Sequence, residues 1–225
     1  MNIFSTVKKN LFLSAIILVT AVFFVSSISS CSNNAPQLRE ASLTIIFDYD
    51  TEESVPSARL GVFVESVSNP RRFGTITVSA KGSDFIWESN NLVMAENEEQ
   101  KFLGTVNLVM PQNKQFPVGE YDIEFIQYDE EKSEIKQVLT YDKGFYDSTA
   151  KDVPQLMRKL MGSKMLKVFD ENNKILYYGV RTPELADARG IWNVYPNAKE
   201  FQETWVSASG NVICNLPVVP VTPGN

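Results

Sequence analysis

Apolar side chains fall at every second position in one stretch of this chain after another, and that period constrains the fold class more than any other feature. Leu43, Ile45, Phe47 and Tyr49 alternate with Thr44, Asp48 and Asp50. The same rhythm returns in Leu60, Val62 and Val64, in Ile76 and Val78, and in Phe85 and Trp87. It continues in Phe102, Val106 and Leu108, in Tyr121, Ile123 and Phe125, and in Ile135, Leu139 and Tyr141. Successive side chains of a strand point to opposite faces, so such runs put one face in a core and the other toward water. Asn69-Pro70, Lys81-Gly82-Ser83 and the polar run 129–133 supply turns between them. No helical pattern of about 10 to 15 residues separates these strands, which argues against parallel α/β. The expectation is a mainly β protein in which residues 41–145 form an antiparallel β-sandwich of seven or eight short strands.

After residue 145 the chain changes character. Val153, Leu156, Met157, Leu160 and Met161 follow helical spacing, with Asp152 and Pro154 at the start and Gly162 past the end. Methionines at that spacing read as core filler rather than as a partner-binding stripe. Residues 165–169 and 174–180 flank Asp170-Glu171-Asn172-Asn173 and predict a hairpin. Thr182-Pro183-Glu184 and Asn197-Ala198-Lys199-Glu200 each have the form of a helix start, the second as a capping-box variant. Residues 211–216 read as a strand that buries Cys214. Residues 146–216 are thus expected as a small α+β extension that either continues the sandwich or packs on it. Residues 217–225, with three prolines in nine positions, predict an extended Pro-rich tail.

Composition closes off whole classes of function. The 225 residues carry 21 Lys and Arg against 27 Asp and Glu, a formal charge of −6, so nothing could neutralise a run of phosphates and nucleic acid is not an expected partner. Histidine is absent from the sequence, which excludes Ser-His-Asp and Cys-His catalysis, His-ligated zinc or haem, and a histidine pH switch. With 44% hydrophobic and 21% charged residues and no low-complexity tract, the chain has the composition of an ordered protein.

The amino-terminal segment reads as an address. Residues 1–10 hold Lys8 and Lys9 and no acid, and residues 11–25 are apolar apart from Ser14 and Thr20. Fifteen such residues, followed by Ser26, Ser27, Ser29 and Ser30, fall short of the roughly 20 that a spanning helix requires and match a signal peptide. Ile28-Ser29-Ser30-Cys31 then resembles the lipobox of bacterial lipoproteins, whose signal is cut before a cysteine that has received a diacylglyceryl group. The resemblance implies a signal peptide over 1–30, a mature chain that begins at Cys31, and a membrane as partner through lipid on that residue. Two or more acyl chains hold a protein firmly where one does so only marginally. An ordinary cleaved signal with an incidental cysteine, and a retained membrane helix, are the other readings of the same residues.

Residue 32 is serine, not the aspartate that keeps enterobacterial lipoproteins at the inner membrane, which points to the outer membrane or cell surface of the envelope. Without residues 1–30 the count falls to 19 basic against 27 acidic residues, a charge of −8. Anionic lipid repels such a body, so attachment would rest on the acyl chains. Residues 31–40 form a short polar tether. Acylation of Cys31 leaves Cys214 without a partner, so no internal disulfide is expected.

Pro117-Val118-Gly119-Glu120-Tyr121 leads into the run Asp122-Ile123-Glu124-Phe125. This segment resembles the turn-into-strand element of bacterial immunoglobulin-like and fibronectin-like domains, over residues 41–142 at most. The resemblance implies an immunoglobulin-like sandwich, although the cysteine and tryptophan spacing of antibody domains is missing. A tyrosine corner fits these residues: glycine permits the tight turn, and a buried Tyr121 hydroxyl bonds backbone a few residues upstream.

Candidate chemistry is thin. Asp48, Asp50, Glu52 and Glu53 gather four carboxylates in six residues, but the EF-hand glycine and distal glutamate are missing, so a solvated turn is expected and no metal. Asp170 to Asn173 are ordinary turn formers, and Glu96, Glu98 and Glu99 read as a charged loop. Trp192, Tyr195, Phe201 and Trp205 lie within fourteen residues. Of these, Trp192, Tyr195 and Trp205 are the candidate contacts for a glycan or protein partner, with core packing as the alternative. The expectation is a non-catalytic, lipid-anchored extracytoplasmic binding or structural module without cofactor. The alternative is an envelope-attached carbohydrate-active enzyme that uses a carboxylate pair.

Overall fold

The alternating runs pair as strands in two sheets. The computed structural model describes residues 38–66, 73–96, 101–112, 114–128 and 132–221; residues 1–30, expected as a signal peptide, and Cys31, Arg71, Arg72, Glu98 and Glu99 lie outside the described residues. In chain order the strands are β1 (Leu38–Asp48), β2 (Ser57–Ser66), β3 (Phe73–Ala80), β4 (Ile86–Ser89), β5 (Val93–Glu96) and β6 (Lys101–Val109). They continue as β7 (Gly119–Gln127), β8 (Lys132–Leu139), β9 (Ser163–Asp170), β10 (Ile175–Gly179), β11 (Ala198–Val206) and β12 (Val212–Pro220). Helix α1 (Val153–Lys159) precedes β9 and α2 (Ala188–Val194) precedes β11, with 3-10 turns at Lys143–Asp147 and Pro183–Leu185. The larger sheet runs β10-β9-β11-β12-β1-β2-β6-β5 and the smaller β4-β3-β7-β8. Among the described residues every pairing is antiparallel except β1 with β12, which is parallel in the register Ile45↔Val212 to Asp48↔Asn215.

The period-two positions fill the space between the sheets. Leu43, Ile45, Phe47, Leu60, Val62 and Val64 from the larger sheet meet Ile76, Val78, Tyr121, Ile123 and Phe125 from the smaller, and all are buried. At about 25 cal/mol per Å² of apolar surface removed from water, this contact is what joins the sheets. Met157 on α1 closes the same core, as its helical spacing predicts, whereas Met161, expected as core filler with it, is exposed past the helix end. A second cluster lies farther along the larger sheet, where Leu166, Val168 and Phe201 are covered by Leu185 and by Ile191 of α2.

Three tyrosines grip the loop that enters β7. Tyr121 Oη donates to the Pro117 carbonyl at 2.7 Å, the predicted corner bond, and Tyr141 Oη donates to the Phe116 carbonyl at 2.6 Å. Tyr146 Oη accepts from the Phe116 amide at 3.0 Å. Gly119, at φ 129°, makes the turn that a residue with a side chain would strain. Burial pushes the hydroxyls of Tyr121, Tyr141 and Tyr146 above their ordinary range, so they remain protonated at any physiological pH. Phe47 stacks on Phe145 at 5.1 Å and meets Tyr146 edge-on at 5.2 Å, which ties this loop to β1.

Four expectations are corrected. Asn197 to Glu200 do not start a helix: β11 begins at Ala198 because Phe201 and Trp205 find cores on the sheet and backbone partners on both sides, in β9 and β12. Residues 217–220 are not a tail: Val218, Val219 and Pro220 pair with Gln202, Phe201 and Glu200, and Val221 is buried. The stretch expected as tether is already strand from Leu38 onward. In β6 the buried apolar side chains are Leu103 and Leu108, not Phe102 and Val106, because a register shift opposite Leu60 and Val62 moves the side chains by one face. Gly104 pairs with Phe63 just before that shift, where a Cβ would collide with the Val62 carbonyl oxygen.

Replacing Tyr121 by Phe leaves the Pro117 carbonyl without its partner and should lower stability by about 1 to 3 kcal/mol in urea unfolding. An unchanged midpoint would remove the corner bond from the account of this turn.

Candidate functional site

The side chains that sequence reasoning brought forward do not converge. Trp192 and Tyr195, three residues apart on and just after α2, pack half-buried against the second cluster, and Tyr195 lies 6.2 Å from the Tyr177 ring. Trp205 packs against the main core instead. The three therefore serve two different cores, and no common aromatic platform follows from their placement. Cys31 lies outside the described residues. Cys214 is fully buried, and desolvation pushes its thiol up to about 12, which leaves it neutral and unreactive.

The acidic turn after β1 is also dispersed. Asp48 accepts from Arg59 Nε at 2.6 Å and from Asn215 Nδ2 at 2.6 Å, and Glu53 pairs with Lys151. Asp48 belongs instead to a polar row on the sheet face opposite the core. Asn215 Oδ1 accepts from Lys167 Nζ at 2.8 Å and from Thr204 Oγ1 at 3.0 Å, and Arg59 Nη1 donates to the Val106 carbonyl at 2.7 Å. Six strands, from β9 to β6, are laced together by side chains at successive off-core positions. Burial pulls the Lys167 ammonium below its usual range against the opposing charge of Asp48. Asn215 itself is buried, so each of its contacts replaces water it has lost.

A cleft opens where the two cores meet. Its volume is about 400 Å³, and Phe201, Glu203, Leu216, Val219, Arg181 and Lys151 line it, with Glu52 also at the wall. The floor follows from a bulge. Gln202 faces Val218 and Thr204 faces Asn215, so β12 carries an extra residue at Leu216-Pro217, where proline's missing N–H costs no ladder bond. The Gln202 side-chain amide caps the Leu216 carbonyl at 2.9 Å.

Charge in the cleft is arranged around Glu203. One of its oxygens forms an ion pair with Arg181 Nη1 at 3.2 Å and the other with Lys164 Nζ at 2.7 Å. Arg181 Nη1 also donates to the Ala186 carbonyl at 3.2 Å, and the guanidinium sits over the Phe201 ring at 5.4 Å. Its Nε and Nη2 are buried and have no hydrogen-bond partner among the described residues. Sequence reading passed over Arg181 and Glu203. The signal available was the pattern of β11, where Glu203 stands between Phe201 and Trp205 on the apolar side of a strand.

No protein-family model, curated protein or solved structure matches the chain.

Calcium takes six to eight oxygen ligands, and Asp48 and Glu53 are already engaged by cations. Millimolar calcium should therefore leave the melting temperature unchanged, and a stabilising shift of several degrees would overturn this reading of the turn. Asn215→Ala removes the centre of the polar row and should cost about 1 to 3 kcal/mol in chemical denaturation. A neutral result would mean that the row contributes no net stability.

Proposed function

We propose that the chain is a lipid-anchored extracytoplasmic binding module of the bacterial envelope, held at the outer membrane or cell surface through acylated Cys31. The anchor rests on the order of Lys8 and Lys9, the apolar run 11–25, and Ile28-Ser29-Ser30-Cys31. The module rests on one observation: a cleft of about 400 Å³ at the seam of two filled cores, with an apolar floor and the Arg181–Glu203 ion pair at its wall.

We assign the first eight strands to the immunoglobulin-like class. Orders β1-β2-β6-β5 and β4-β3-β7-β8 correspond to an ABED sheet facing a C′CFG sheet. The tyrosine at the start of β7, which takes the place of strand F, supports that correspondence. On this reading strands β9 to β12 are an addition to the free edge of strand A.

Glu52 and Glu203 both line the cleft, which is the observation that keeps a carboxylate-pair hydrolase in view. Against it, both oxygens of Glu203 are engaged in ion pairs, with Arg181 and Lys164, which leaves neither free to face a substrate.

Metabolic labelling with palmitate in the native host tests the anchor. Cys31→Ala should abolish the label and release the protein from the membrane fraction, and undiminished labelling would refute acylation at this residue.

A further inference from the structure

Lys167, Thr204, Asn215 and Asp48, from β9, β11, β12 and β1, converge on a single carboxamide. The Lys167 side chain reaches over β11 and places Nζ 2.8 Å from Asn215 Oδ1. Thr204 Oγ1 donates to the same oxygen at 3.0 Å. On the other side of the carboxamide, Asn215 Nδ2 donates to Asp48 Oδ1 at 2.6 Å, and Arg59 Nε fixes the carboxylate through its second oxygen, also at 2.6 Å. Asn215 and Thr204 are buried, so water does not compete for these positions.

These four groups are also the ones that an amide exchange requires. An amine is nucleophilic only when neutral, and burial lowers the Lys167 ammonium, with Arg59 acting in the same sense and Asp48 against it. A carboxamide resists attack because negative charge builds on its oxygen, and a buried hydroxyl aimed at Oδ1 stabilises that charge. Ammonia leaves only after its nitrogen gains a proton, and a carboxylate in contact with Nδ2 is placed to deliver one. Contact held by the sheet replaces the chance encounter that makes such a reaction negligible between free side chains.

We infer that Lys167 and Asn215 form an intramolecular amide bond that joins β9 to β12 across β11, with Thr204 holding the oxyanion and Asp48 moving the proton. The lone pair of the neutral Nζ attacks Asn215 Cγ, and the C=O electron pair moves to Oδ1. Nζ loses one proton to Asp48, which passes it to Nδ2. The Cγ–Nδ2 bond then breaks as the carbonyl re-forms, and ammonia leaves. An amine and a primary amide become a secondary amide and ammonia, so no oxidant or co-reactant enters the balance. This site goes beyond the binding-module reading and depends on neither the cleft nor Cys31.

Mass spectrometry of the full chain, purified in detergent and held overnight under mildly alkaline conditions, tests the bond. A protease digest should contain a branched peptide pair in which Lys167 is joined to Asn215, lighter than the sum of the two peptides by one ammonia, about 17 Da. Lys167→Met and Asn215→Ala should each abolish the pair. Asp48→Asn should slow its appearance at least about tenfold in a chain that circular dichroism shows to be folded. Separate, unmodified peptides carrying Lys167 and Asn215 in the parent digest would overturn the inference. So would an ammonia loss confined to the Asn215 peptide, or a folded Asp48→Asn chain that links at the parent rate. Should the Asp48 variant fail to fold, the parent digest still decides.

Discussion

The fold depends on β1 having hydrogen-bond partners along both of its edges. On one side β2 runs antiparallel in a register from Ala41↔Val64 to Asp48↔Ser57, and on the other β12 runs parallel. The Ile45 amide donates to the Asn211 carbonyl at 2.9 Å and the Tyr49 amide to the Asn215 carbonyl at 3.0 Å. In a two-sheet sandwich an outer strand exposes unpaired N–H and C=O groups that invite pairing with other chains. Here the carboxyl-terminal third covers that edge. Residues 146–216 therefore join the larger sheet through backbone pairing, and the described residues from the two regions form one compact unit.

Sequence pattern carried well where burial alone decides a side chain's direction. Leu43, Ile45, Phe47 and Tyr49 are all buried, as are Tyr121, Ile123 and Phe125. The hairpin around Asp170 to Asn173 formed as its turn residues dictate, with Asp170 Oδ1 accepting from the Asn172 and Lys174 amides at 2.9 Å. Local signals failed where distant partners outweigh them. Nothing within residues 197–200 reveals that β9 and β12 will flank them, and nothing in residues 217–220 reveals that Gln202 will cap the bulge at Leu216. At the end of α1 the left-handed residue is Met161, at φ 49°, although Gly162 stands next to it; the Gly162 amide instead closes the turn on the Met157 carbonyl at 2.8 Å.

The cleft was less legible than the fold for a related reason. Aromatic density drew attention to Trp192, Tyr195 and Trp205, yet large rings in a mainly β chain are first of all core material. The residue that gives the cleft its chemistry, Arg181, lies in the connection after β10, and its pairing with Glu203 exists only because β10, β9 and β11 are neighbours. Asp48 shows the converse: it stood out as one of four clustered acids, and its actual partners, Arg59 and Asn215, are 11 and 167 positions away.

The double pairing of β1 also has a mechanical side. Force applied at the amino end of this strand runs along its axis, whereas its ladder bonds to β2 stand across that axis. Such a pull cannot unzip the bonds one at a time; it must slide β1 past β2 and β12 together and break both rows at once. A pull at that end is thereby resisted by two rows of bonds loaded in parallel.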